Sequence, residues 1–308
     1  MVILSVGMIK ADVASYGRLE QGFECNKIFQ QGGREMICQV NNLPIYYEEY
    51  GQGKPVLCVH GFSIDHRALK GCMEPIFEKM NGYRRIYLDM PGMGQTPGMD
   101  WVENADVMLD ILKKIIAEVI GEENFLVAGN SYGGYMALGL AREMGEQIDG
   151  LFLLVPCTVA DTPLRRLPIK GEVAVEEGLE EYINSAEDFD NFIACAAIAT
   201  KETWNRFAGE VMPGLNIADY GFLKAYRQRG FSFSFEAELK DLQFAKPVVA
   251  LTGKQDDSVG YEDTWDTIKH LPSLTFAVVD YAGHNLQIEQ VDIFEAHVRE
   301  WLRATSKS

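Results

Sequence analysis

The chain has 308 residues, 47% of them hydrophobic, which is enough for one large α/β domain or a core domain carrying an inserted lobe. Its 45 acidic residues against 28 lysines and arginines leave a formal net charge of −17, a field that repels nucleic acid and anionic lipid and so excludes polyanionic partners from the expectation. No apolar run reaches the roughly 18 residues of a membrane span, and the six cysteines (Cys25, Cys38, Cys58, Cys72, Cys157, Cys195) form no C-x-x-C pair, the pattern of a reduced, cytoplasmic protein.

Residues 1–35 carry no sustained period of 2 or 3.6 and read as an N-terminal extension outside the folded domain. The opening Met1–Ile9 is apolar, but it lacks a preceding basic region and meets Lys10 early, unlike a secretory signal. Codons for the glycines of Gln31-Gly32-Gly33-Arg34-Glu35-Met36 can spell a purine-rich ribosome-binding sequence ahead of a start codon. On that hypothesis the extension is a translated leader, and an intact Met1 on the native protein would refute it.

From Met36 the alternation Met36-Ile37-Cys38-Gln39-Val40 and Pro44-Ile45-Tyr46-Tyr47-Glu48 predicts strands. Apolar runs at Val56–Val59, Arg85–Leu88, Phe125–Ala128, Leu151–Val155, Pro247–Thr252 and Leu274–Val279 predict further strands. Between them Ala105–Ile120 places Val107, Leu109, Leu112, Ile115, Ile116 and Val119 near one helical face, and Ile293–Leu302 closes the chain in the same way. Strands alternating with amphipathic helices predict an α/β fold, a mostly parallel central sheet with helices on both faces. Residues 157–240 break the alternation with acidic helical patches and many aromatics, so they read as an inserted helical lobe between core segments 36–156 and 241–308. Its aromatics, among them Phe192, Trp204, Phe207 and Tyr226, are expected to build the lobe's own core.

Gly129-Asn130-Ser131-Tyr132-Gly133 fits G-x-S-x-G, directly after the run Phe125–Ala128 and before the helix-like Tyr135–Leu140. A serine on so sharp a strand-to-helix turn needs small residues two before and two after it, and Gly129 and Gly133 meet that need. The helix start offers free N–H groups and a positive dipole end, so the Tyr132 amide can stabilise an oxyanion. The alternative is a glycine-rich turn with an idle serine. A serine hydroxyl needs a histidine base, which in turn needs a carboxylate to fix its tautomer. His284 follows the strand at Leu274–Val279, whereas His270 and His297 sit in helix-like stretches where a surface role is expected. For the acid, Asp256 and Asp257 are adjacent after the strand at Pro247–Thr252, with Asp280 and Asp161 as outside candidates.

His60-Gly61-Phe62, Asp89-Met90-Pro91-Gly92-Met93-Gly94, Gly129-Asn130-Ser131-Tyr132-Gly133-Gly134, Gly253-Lys254-Gln255-Asp256 and Gly283-His284 together resemble the α/β-hydrolase superfamily, in that family's order and each just past a predicted strand. The resemblance implies the α/β-hydrolase fold with a helical cap at 157–240. It also implies a Ser131–His284–Asp256 triad, the Gly-x-x-Asp-x-x-Val spacing selecting Asp256, and an oxyanion hole from the amides of Phe62 and Tyr132. His60 is expected to be structural, and Asp65 and His66 to face solvent or hold their loop. The implied activity is hydrolysis of a small, largely apolar carboxylic ester through an acyl-enzyme on Ser131. Alternatives are a carbon–carbon hydrolase of ring-fission dienoates, although Phe62-Ser63-Ile64-Asp65 replaces the Gly-Pro-Gly expected after that branch's His-Gly, a cofactor-free haloperoxidase or perhydrolase, or a ligand-binding protein with little turnover. Dehalogenases and epoxide hydrolases place aspartate where Ser131 stands. The sequence has no H-E-x-x-H, no clustered His/Cys spacing and no phosphate loop, so neither metal nor cofactor is expected and the partner is a small molecule. Oligomeric state is left open.

Overall fold

The computed structural model describes residues 26–29 and 33–306, so the first 25 residues of the expected leader, Cys25 included, lie outside them. The chain opens with the antiparallel strands β1 (Asn26–Phe29), β2 (Arg34–Val40) and β3 (Leu43–Gly51). β2 thus begins two residues ahead of the expected Met36, and four-residue β1 lies beside it, too short to show a period in the sequence. Asn41 and Asn42 turn the β2–β3 hairpin with φ of 49° and 66°, values that asparagine tolerates better than other residues with a Cβ and that a two-residue hairpin turn requires.

There follow β4 (Lys54–Val59), α1 (Arg67–Phe77), β5 (Tyr83–Leu88), α2 (Ala105–Val119), β6 (Phe125–Asn130), α3 (Tyr132–Met144) and β7 (Ile148–Leu154). The chain then leaves the sheet for β8 (Ala174–Val175), α4 (Leu179–Ile183), α5 (Ala186–Cys195), β9 (Ile198–Ala199), α6 (Lys201–Glu210), α7 (Met212–Ile217) and α8 (Tyr220–Gly230), with β8 and β9 paired only with each other. It returns through β10 (Val248–Gly253), α9 (Tyr261–Ile268), β11 (Leu274–Val279), α10 (Leu286–Glu289) and α11 (Val291–Thr305).

The large sheet runs in the order β1-β2-β3-β5-β4-β6-β7-β10-β11, antiparallel up to the β3–β5 pair and parallel from β5 onward. Helices cover the parallel part on both faces, which is why β4, β6, β7 and β10 are nearly continuous apolar runs that bury both sides. Helix α2 starts where the Asn104 side chain accepts the Val107 N–H at 3.0 Å, and it buries Leu109, Leu112, Ile115 and Ile116 against the sheet as its period predicts.

The aromatics of the helical segment divide between two cores. Phe192 and Phe207 form a small cluster with Trp204 and Phe189 packed against it. Phe222, Tyr226 and Phe233 instead join the main core, with Phe231 and Phe235 alongside. The expectation of a lobe with its own core therefore holds for α5 and α6 but not for α8 and the loop after it, whose aromatic faces dock on Tyr132 and Tyr135 of α3.

Candidate active site

β6 and α3 approach so closely at their junction that a Cβ cannot fit. A Cβ on Gly129 would lie 2.6 Å from the Gly133 carbonyl carbon, and one on Gly133 would lie 2.5 Å from that of Val59 in the neighbouring strand. Ser131 between them takes φ 52° and ψ −114°, a backbone state costly for a residue with a side chain and found where function demands it. The serine is held there by its own N–H donating to the Leu154 carbonyl at 2.9 Å and by its carbonyl accepting from Cys157 N–H at 2.9 Å.

The parallel strands β6, β10 and β11 all end at the same edge, and the loops leaving β10 and β11 bring Asp256 and His284 to Ser131. The Ser131 hydroxyl donates to His284 Nε2 at 3.0 Å, and His284 Nδ1 donates to Asp256 Oδ2 at 2.8 Å. Asp256 is 1% exposed and its other oxygen accepts from the N–H groups of Ser258 and Val259 at 2.9 and 3.1 Å, so the carboxylate is fixed before it meets the imidazole. Burial disfavours the charged imidazole, but the Asp256 charge and hydrogen bond outweigh it and raise the His284 pKa above its ordinary value. Asp257 turns away to pair with Lys170 at 3.3 Å. Asp280 is exposed and accepts from Gln255, and Asp161 is exposed ahead of a short 3₁₀ turn. His270 bonds the Leu242 carbonyl and His297 the Ile293 carbonyl, and neither lines the cavities at Ser131.

Phe62, just after β4, and Tyr132, the first residue of α3, both border Ser131, and neither main-chain N–H donates to an acceptor among the described residues. His60 ties this loop to the next: its Nε2 accepts the Met90 N–H at 3.0 Å, the structural role expected of it. Of the two roles expected for Asp65 and His66, facing solvent or holding their loop, the structure shows the second. Both are buried, and His66 donates from Nδ1 to Asp89 at 2.8 Å and from Nε2 to Glu48 at 2.9 Å. Burial opposes its charge, yet those bonds push its pKa up to about 9 and hold Asp89 and Glu48 below the usual carboxylate range. Asp65, His66 and Asp89 are the cluster among the described residues closest to a metal-ligand arrangement, but an imidazole protonated on both nitrogens has no lone pair to offer.

A cavity of about 630 Å³ opens over Ser131 and His284, its walls including Phe62, Ile64, Phe207, Val211 and Leu215. A second, of about 210 Å³, touches the same two side chains and is bordered by Arg165, Arg227 and Phe231. Neither arginine stood out in the sequence, since no local carboxylate spacing or motif marks them. Glu289 in α10 was also missed. Its two oxygens accept from Gly283 N–H at 2.6 Å and from Ala197 and Ile198 N–H at 2.5 and 3.3 Å, joining the His284 loop to β9.

A parallel sheet with a serine on a strained strand-to-helix turn, facing a histidine and an aspartate from later strand ends, defines the hydrolase class of nucleophile-elbow folds. The chain belongs to the alpha/beta hydrolase family, whose model matches residues 56–296. It is similar to the solved structure of an alpha/beta superfamily hydrolase from Oenococcus oeni PSU-1, 31% identical over 85% of this chain and 96% of that one, with a TM-score of 0.80. It is 24% identical to a pimeloyl-[acyl-carrier protein] methyl ester esterase of Legionella pneumophila (strain Corby) over 84% of this chain and 99% of the relative. A 2-hydroxy-6-oxononadienedioate/2-hydroxy-6-oxononatrienedioate hydrolase of Pseudomonas putida is 22% identical over 85% of this chain and 92% of its own length. No described helix is long and apolar enough to cross a membrane.

Proposed function

We propose that the chain hydrolyses small-molecule carboxylic esters through an acyl-enzyme on Ser131, a reading carried by the unbroken hydrogen-bonded line Asp256–His284–Ser131 at the floor of the 630 Å³ cavity. Ser131 Oγ attacks the carbonyl carbon as His284 Nε2 takes its proton, and the carbonyl oxygen becomes an oxyanion facing the N–H groups of Phe62 and Tyr132. His284 returns that proton to the departing alcohol. Water, deprotonated by His284, then attacks the acyl carbon, and collapse releases the acid and restores the Ser131 hydroxyl. Asp256 stays ionised throughout, holding His284 in the tautomer that leaves Nε2 open.

The apolar walls suit an apolar part of the substrate, and the segment 157–240 acts as a cap that shields the reaction from water. The chemistry uses no cofactor or metal. Cys58, Cys72, Cys157 and Cys195 are free thiols, which supports a cytoplasmic setting. Names of the relatives above support ester cleavage first and carbon–carbon cleavage second.

The test is fluorophosphonate labelling together with turnover of esters of graded acyl length, for the parent and Ser131→Ala. The parent labels and turns over esters, and the variant does neither. A variant as active as the parent refutes the mechanism, and labelling without turnover of any ester favours the carbon–carbon hydrolase or the ligand-binding reading.

A further inference from the structure

The 210 Å³ cavity beside Ser131 carries a charge that the chemistry of ester cleavage does not use. It is bordered by Ser131, His284, Phe62, Tyr132 and the two arginines, and no aspartate or glutamate lines it. In a chain of net charge −17, most described cations near the surface have found a carboxylate. These two have not: neither forms an ion pair with any described acidic residue.

They differ in what their donors do. Arg165 spends its guanidinium on uncharged acceptors, giving Nε to the Val159 carbonyl at 2.8 Å, Nη1 to the Ser258 carbonyl at 2.8 Å, and Nη2 to the Ala160 carbonyl at 3.0 Å and Cys157 Sγ at 3.3 Å. It is therefore fixed, with its charge uncompensated. Arg227, on α8, donates to no described residue. Its guanidinium lies over the rings of Phe62 and Phe231, 4.8 and 4.7 Å from their centroids, which orients the planar fork while leaving its edge open. Arg227 is exposed overall, but partial desolvation of its guanidinium and the neighbouring Arg165 charge lower its pKa from its ordinary value, and the Arg165 charge is felt at His284 as well. Two neighbouring cations with no carboxylate between them, Arg227 exposed with an open bidentate edge and Arg165 held beside it, present a positive face to an anion at the cavity.

We propose that this cavity is a carboxylate subsite: the substrate is an ester that also bears a carboxylate, gripped by the open edge of Arg227 beside the fixed charge of Arg165 while the ester carbonyl sits at Ser131. The inference rests on the esterase reading and narrows it to half-esters of dicarboxylic acids or acyl esters of hydroxy acids. The larger cavity takes the remaining part of the molecule, its apolar portion against Ile64, Phe207, Val211 and Leu215.

The experiment pairs each acid with an isosteric neutral amide. In one arm the methyl half-esters of succinic, glutaric and adipic acid are compared with the corresponding half-amides, and in the other acetoxybutanoate is compared with its amide, so the arms separate an acid on the acyl side from one on the alcohol side. In one arm kcat/KM favours the acid by about tenfold or more, the scale of one bidentate charged contact. Arg227→Gln brings that ratio close to one, Arg227→Lys recovers part of it, and Arg229→Gln, further along the same helix, keeps it. Loss of packing over Phe62 and Phe231 would lower acid and amide together and leave the ratio intact. Ser131-dependent turnover of the amides with no acid preference in either arm, or a preference that survives Arg227→Gln, overturns the subsite and leaves the esterase reading standing. If no ester is turned over, the esterase reading fails, and calorimetry decides the subsite. The glutarate half-ester then binds Ser131→Ala protein and not the Ser131→Ala, Arg227→Gln double variant; absence of binding to the single variant overturns it.

Discussion

Gly133→Ala tests the close approach of α3 to β4 because two principles predict opposite signs. As a residue of helix α3, although in its first turn, Gly133 should gain at most roughly 1 kcal/mol from alanine through propensity. The local geometry predicts a loss. The new Cβ would lie 2.5 Å from the Val59 carbonyl carbon and 2.6 Å from the His60 carbonyl oxygen. Relaxed carbon contacts lie at about 3.5 Å or beyond, so α3 and β4 must separate by about 1 Å, and both neighbours are backbone that cannot rotate away. Overpacking of that size costs about 1 to 3 kcal/mol. It also moves Tyr132 N–H and Ser131 relative to Phe62 N–H, and a displacement near 1 Å in a reacting centre lowers the rate about 100-fold. Urea unfolding and fluorophosphonate labelling rates read the two effects separately. An alanine variant at least as stable as the parent and labelled at the parent's rate would refute the argument.

Asp256→Asn is expected to lower ester turnover about 10³- to 10⁴-fold with little change in folding, because the amide can hold the wrong imidazole tautomer. Since Asp256 raises the His284 pKa, kcat/KM of the parent should fall with acidification at a pH above the ordinary histidine value of 6.5, and any residual activity of the variant should have its acidic limb at lower pH; an unmoved limb removes His284 as the base. His66→Gln leaves Asp89 facing a neutral group while Glu48 keeps Lys70 at 2.7 Å, at a cost of about 3 kcal/mol set mainly by Asp89. The His66 pKa is raised, so the stabilisation it provides is complete below pH 6.5 and lost as pH rises through about 9, while the depressed carboxylates lose theirs on acidification. Urea midpoints of parent and variant should therefore converge between pH 7 and pH 10, and a constant difference across that range would contradict the assignment.

The strand runs and the serine turn were legible because each is local. β4, β6, β7 and β10 are apolar on both faces, and the glycines around Ser131 sit at fixed offsets from it. The acid was harder: Asp256 and Asp257 are neighbours, and only the fold turns one toward His284 and the other toward Lys170. His66 lay beyond reach of the sequence, since its partners Glu48 and Asp89 come from a different strand and a different loop. The same holds for Arg227, whose meaning depends on what it does not meet. Aromatic content could mark the helical segment but not divide it, because Phe207 and Tyr226 differ only in which core lies beneath them.

Glu289 bears on attempts to exchange the helical segment for another. Its carboxylate serves main-chain donors from two places at once, Gly283 beside His284 and Ala197–Ile198 in the segment, and the residue is half-buried. A transplanted segment that fills the cavity perfectly but offers no N–H groups at that seam would leave one oxygen stranded and free to pull the histidine loop out of register. Compatibility between scaffold and graft in this protein is therefore decided at a joint of three peptide groups, away from the surface that greets the substrate.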